Sequence, residues 1–171
     1  MKKTKLLIII VTFLISFPIH FIHDKFPCFL TSIIAPVNES VWEHMKIIYT
    51  SIIISSIIEA IIYKKKNINN NNFIISIPLS AIIGIIFYLT IYSIIDLFIP
   101  HNFYIAIILM LITYLISNMI SYILLNKKEI PNQKKLGVFL ILISYIIFTH
   151  LTYYPLNFNI FVDPITKKCG L

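Results

Sequence analysis

A chain of 171 residues that is 58% hydrophobic and only 12% charged cannot cover a water-facing surface, which excludes an ordinary soluble domain. Its net charge of +7 is no nucleic-acid footprint, because the lysines stand at the ends of apolar runs, where they act as topology signals. Runs of about 20 apolar residues, each able to cross roughly 30 Å of hydrocarbon, define an integral membrane protein. The expected fold is all-α, a polytopic bundle of five transmembrane helices in a single domain.

The chain opens on "MKKTKLLIIIVTFLISF", which has the basic and apolar regions of a signal peptide. The following "PIHFIHDKFPC" offers no small-x-small cleavage site, and no lipobox precedes Cys28, so the segment is read as a retained first span over 5–23. At its end "HFIHD" places His20, His23 and Asp24 at i, i+3 and i+4 on one helix face. That spacing permits metal chelation, since imidazole and carboxylate suit zinc and similar ions.

Next comes "APVNESVWEHMK", residues 35–46, where polar chemistry gathers between two apolar runs. Asn38 or Ser40 can cap the second span, 44–63, and Ser40-x-x-Glu43 has capping-box spacing. Trp42 reads as an interfacial anchor. Capping does not require Asn38, Glu39, Glu43 and His44 together. If the helix starts early enough, Glu39 and Glu43 share a face and repel unless Lys46, a proton or a metal intervenes.

The third span, 73–99, contains Pro78 and Gly84, which suggest a kink or tilt, and carries Asp96 near its end. The asparagine run before it reads as low-complexity loop without a role of its own. Spans 103–125 and 136–154 follow, and the second of these carries His150. All 14 basic residues are lysine. With a cytoplasmic N-terminus, ten of them (Lys2, Lys3, Lys5, Lys64, Lys65, Lys66, Lys127, Lys128, Lys134, Lys135) fall inside and four outside. The positive-inside rule then orients the chain N-in and C-out across the membrane. His20, His23, His44, His101 and His150 all fall at or near the outer face, and Glu59 and Glu129 lie inward beside lysines. His20 and His150 each lie roughly 22 Å above a cytoplasmic lysine, at matched depth, where an ionisable group by default faces a partner, cavity or metal. The tail from residue 155 is too short to cross again and is expected to fold back over the bundle, with Asp163–Pro164 in a turn.

No HExxH, GxSxG, phosphate-binding glycine loop or dinucleotide fingerprint is present. Cys28 and Cys169 fall on the same side and can pair only in an oxidising compartment.

With "HFIHD", "APVNESVWEHMK" and "LNFNIFVDPITKKCGL" laid out, the chain resembles an uncharacterised family of small bacterial integral membrane proteins, a domain of unknown function. The resemblance rests on His20–Phe21, on Val37–Lys46 matching VNESVWEHxK, on Phe161–Thr166 and on Gly170. It spans the whole chain and implies no established activity. Relatives in that family usually carry an aromatic residue and a carboxylate where His23 and Asp24 stand, and Tyr in place of Cys169.

The residues therefore lead to an outward-facing His/Glu/Asp site. Its expected metal ligands are His20, His44, His150 and Asp96, holding a divalent ion such as zinc. Glu39 and Glu43 are the expected catalytic carboxylates, acting on a lipid or envelope substrate. Asn38, Ser40, Trp42, Asp163 and Pro164 are the structural part of the motif. The alternatives are a transporter or ion-conducting component using the same groups, and a non-catalytic membrane scaffold. The expected partner is the lipid bilayer and not nucleic acid.

Overall fold

In the computed structural model, which describes residues 1–68, 70–99 and 102–171, the chain is helical with short connections. Five helices are long and apolar enough to cross a membrane: α1 (Lys2–Lys25), α3 (Val41–Lys65), α4 (Phe73–Asp96), α5 (Phe103–Leu125) and α6 (Gln133–Tyr153). A short α2 (Phe29–Ile34), which apolar periodicity did not announce, sits between α1 and α3. The chain is thus an all-α, multi-pass membrane protein. Helices suit the bilayer because each satisfies its own backbone hydrogen bonds where no water can.

Unlike a soluble bundle, this one exposes large apolar side chains and buries small polar ones among its core hydrophobics. On α1, Leu6, Leu7, Ile10, Leu14, Phe17 and Phe21 face outward, while Thr12 and Ser16 are buried beside Ile8 and Ile19. Hydroxyls at the helix interfaces bond back to their own backbone, as Thr12 does to the Ile8 carbonyl at 2.7 Å, or across to a neighbour, as Thr12 does to Ser55 at 2.7 Å. Such small polar contacts join helices where lipid supplies no hydrophobic drive.

α1 packs on α3 and α5, and α4 on α3, α5 and α6. The approach of α6 to α4 depends on Gly137, where a Cβ would lie 2.6 Å from the Ile74 carbonyl carbon and oxygen. α4 remains one continuous helix through Pro78 and Gly84 and ends at Asp96. α3 is the central element, buried at every residue from Met45 to Ser51.

At the lysine-rich end, Lys5 and Glu59 form a buried ion pair at 2.7 Å, and Lys5 also donates to Ser121 at 2.7 Å. The asparagine run there is more than filler. Asn72 is fully buried in a left-handed conformation (φ 60°). Its side chain donates to the carbonyls of Leu124 and Lys128 and accepts from the Ile130 amide. Asparagine tolerates that backbone and carries both a donor and an acceptor, which a loop pinned at one point needs.

The opposite end gathers the close of α1, α2, the start of α3, the close of α6 and the tail. The tail folds back on α3 through a 3-10 turn, Asn159–Phe161. Asp163 then makes a turn, its carboxylate accepting from the Ile165 amide (2.7 Å) and the Thr166 hydroxyl (2.9 Å). Leu171 donates its amide to the Thr152 carbonyl at 3.1 Å. Cys28 and Cys169 are free thiols.

Candidate functional site

The motif divides at the helix start. α3 begins at Val41 with Ser40 as N-cap, whose hydroxyl accepts from the Glu43 amide at 3.3 Å. Only this arm of the expected capping box forms. The Glu43 side chain accepts from the Val37 amide (3.0 Å) instead, and the Ser40 amide is taken by Asn38 Oδ1 (2.9 Å). Glu39 therefore lies outside the helix, and helical spacing does not align it with Glu43.

Glu43 is sealed. It is 1% exposed, paired with Lys46, and accepts the Thr152 hydroxyl at 2.7 Å. Lys46 in turn donates to the Ser32 carbonyl (2.7 Å) and to Thr152 Oγ1 (3.0 Å). One ion pair thus joins α2, α3 and α6. Every strong partner that Glu43 can take is occupied, so it is not placed as a base for an external substrate.

Glu39 has the opposite surroundings. Its Oε2 lies 3.5 Å from His44 Nε2 and 3.7 Å from His20 Nε2, with all three side chains partly exposed. The ligand atoms of His20, Glu39 and His44 all lie within 4.8 Å of one another, the one such group among the described residues. His44 Nδ1 is 2.8 Å from the Ser40 carbonyl oxygen. A carbonyl only accepts, so Nδ1 carries the proton, and in the neutral ring Nε2 presents a lone pair toward Glu39. The His20 ring is set by packing, stacked on Phe21 at 4.8 Å and edge-on to His44 at 5.2 Å, with its Nδ1 buried and without a partner.

These spacings suit an ion. Two ligand atoms held at about 2.0–2.1 Å around one tetrahedral zinc lie about 3.4 Å apart. The two His–Glu separations of 3.5 and 3.7 Å are already close to that value. A backbone carbonyl fixing the tautomer of a histidine is also the usual outer support of a metal ligand.

The other residues expected at the site lie elsewhere. His150 is exposed on α6, with its ring against Tyr154 at 5.3 Å, and it is Thr152 that reaches Glu43. The two positions differ by about 200° around the helix, so matched depth did not bring His150 inward. Asp96 is exposed and lines a separate hollow of about 240 Å³ between α4 and the tail. His23 is buried against Thr31 of α2, with Nδ1 at 2.9 Å, and Asp24 is exposed. His101 lies outside the described residues. Trp42 is no lipid-facing anchor: its ring packs between Phe148 (5.5 Å) and Phe161 of the tail (5.0 Å).

The tail holds the motif in place. Asn38 Nδ2 donates to the Gly170 carbonyl at 3.0 Å. Burial pushes the Asp163 carboxyl up, but the amides of Ile165, Thr166 and Glu39 and the Thr166 hydroxyl donate to it and hold it below the usual aspartate range. The backbone of Glu39 is thereby anchored while its carboxylate stays available. Lys46 carried a signal in the sequence, a lysine three residues after Glu43 in an apolar run. Thr152 and Ser32 carried none.

A family model described as "Family of unknown function (DUF6512)" matches residues 1–171, and the chain belongs to that family. No curated protein and no solved structure matches it.

Proposed function

We propose that this membrane protein binds a divalent transition metal, zinc by ligand type, through His20 Nε2, His44 Nε2 and a Glu39 carboxylate oxygen. The observation that carries the reading is the convergence of ligand atoms of these three residues within 4.8 Å from two separate stretches of chain, the end of α1 and the motif that opens α3. Two imidazoles and a carboxylate are a set that zinc sites use when a fourth position is kept for water or substrate. The anchoring of Glu39 and the tautomer of His44 support it, because both are fixed before any ion arrives.

In this reading the end of the bundle that carries the site lies on the outer face of a bacterial cytoplasmic membrane with the N-terminus inside, an orientation that the ten-to-four lysine asymmetry supports. In this reading the metal is the function's centre. Hydrolysis of a lipid or envelope substrate would draw on a water at the ion's open position, because Glu39 is committed to the metal and Glu43 to Lys46.

Metal analysis of protein purified in neutral detergent tests the proposal. After Zn²⁺ loading and desalting, about one ion per chain is expected, and Co²⁺ in its place should give the visible spectrum of a tetrahedral site. Both signals should vanish in His44→Ala. Wild-type protein that leaves desalting metal-free, or a His44→Ala variant that keeps its ion, would overturn it.

A further inference from the structure

Directly beside the cluster is a cavity of about 100 Å³, enclosed by α1, α3, α4 and α5. His20 and His44 supply its ionisable wall, and the rest of its lining is apolar except for Tyr88 and for Ser16, whose hydroxyl is spent on the Phe13 carbonyl at 2.6 Å. From there the cavity runs along α5 from Phe103 to Met110, seven residues or about 10 Å toward the middle of the span. Three of its lining residues, Phe17, Phe21 and Phe103, are 42%, 51% and 63% exposed, which points to an opening on the side of the bundle.

We infer that the site takes a single-chain amphiphile, a long acyl chain with an anionic oxygen head. The chain enters sideways from the bilayer with the part nearest its head in this cavity, and the head reaches the His20–Glu39–His44 centre. The inference rests on the metal reading above and names the class of ligand for that site.

Three features select this ligand. First, the space is narrow: an engineered apolar cavity of about 150 Å³ admits one benzene ring, so about 100 Å³ suits part of one acyl chain better than a ring system. Second, the apolar walls and polar end are in register with an amphiphile whose head sits at the membrane surface and whose chain points inward. Third, a divalent ion held by two neutral imidazoles and one carboxylate keeps a net positive charge and an open position, which favours an anionic oxygen over a neutral head.

The test uses full-length protein in a neutral maltoside detergent, loaded with Co²⁺. The probe is palmitate carrying a diazirine in its chain. Irradiation should label the α5 segment 103–110, and palmitate should shift the Co²⁺ spectrum, since its head displaces the solvent ligand. Ala106→Trp fills the cavity and should cut labelling at least tenfold while the Co²⁺ spectrum before palmitate is unchanged. Ile107→Trp serves the same purpose if the first variant does not fold, helicity and Co²⁺ uptake being the check. Unlabelled palmitate and dodecyl phosphate, added as competitors, distinguish a carboxylate head from a phosphate one.

Labelling that ignores both tryptophans, or that neither competitor reduces, overturns the inference and leaves the metal reading standing. Labelling in the cavity without a spectral shift also overturns it, because the head is then not on the metal. A protein that takes up no Co²⁺ before palmitate is added fails at the earlier step, and both readings fall together.

Discussion

Glu39 and Glu43 stand four residues apart in one motif and have opposite fates. Glu43, inside the helix, faces the interior and meets Lys46, Thr152 and the Val37 amide. Glu39, just before the N-cap, meets two imidazoles and no lysine or arginine among the described residues. The first arrangement is complete in itself. The second sets a carboxylate against two imidazoles, an arrangement that a proton or a cation makes more favourable. The Lys5–Glu59 pair at the other end of the bundle belongs with Glu43: buried, matched and closed. A buried charge that has found its partner is architecture, and a half-exposed one whose partners are metal ligands is an opening for chemistry.

The largest effect that would break this comparison is on the lock. Lys46→Met leaves Glu43 charged and buried, which costs about 3–5 kcal/mol. Thermal unfolding in detergent should show a large loss of stability, and Glu43→Gln combined with Lys46→Met should restore most of it. A single variant as stable as wild type would mean that the pair does not join α2, α3 and α6.

The complementary substitution is Glu39→Gln. It should change stability by no more than about 0.5 kcal/mol, as for an exposed position. Metal affinity should fall by more than about 100-fold, since even outer partners of a ligand are worth 10–100-fold. Titration with Zn²⁺ alongside thermal unfolding separates the two effects. A variant that loses stability but keeps its metal would reverse the roles assigned to the two glutamates.

A smaller effect is expected at Gly170. Its φ is +64°, and a Cβ added there would lie 2.5 Å from the Thr152 carbonyl oxygen. Gly170→Ala is therefore strained by about 1–2 kcal/mol. The five long helices should remain folded while residues 155–171 become sensitive to protease, with Asn38 losing its partner there. Equal protease resistance in variant and wild type would show that the tail is not held at this point.

The smallest effect is on pH. Asp163 sits below the ordinary aspartate range, so its contribution to tail docking is present above the unfolded-state value of about 3.9 and is lost as pH falls through the lower folded one. Protease resistance of the tail should be the same at about pH 8 and about pH 5, and Asp163→Asn should weaken it at both. Release of the wild-type tail at about pH 5 would contradict the stabilised carboxylate.

Sequence alone determined the class of protein and the five spans, because apolar length is a one-dimensional quantity that the bilayer reads directly. It also reached the three residues that cluster, since Glu39 and His44 lie within the motif and His20 ends the first span. The partition of roles was decided in three dimensions. Depth along a helix is counted in residues, but direction around it depends on where the helix starts and which neighbour it meets. The start at Val41 put Glu39 outside the helical repeat and turned Glu43 inward. The packing of α6 on α4 at Gly137 presented Thr152 to Glu43 and left His150 exposed. α2 was too short for its periodicity to show, and Asn72 looked like filler until the carbonyls it holds, more than 50 residues away in sequence, were brought to it by the fold.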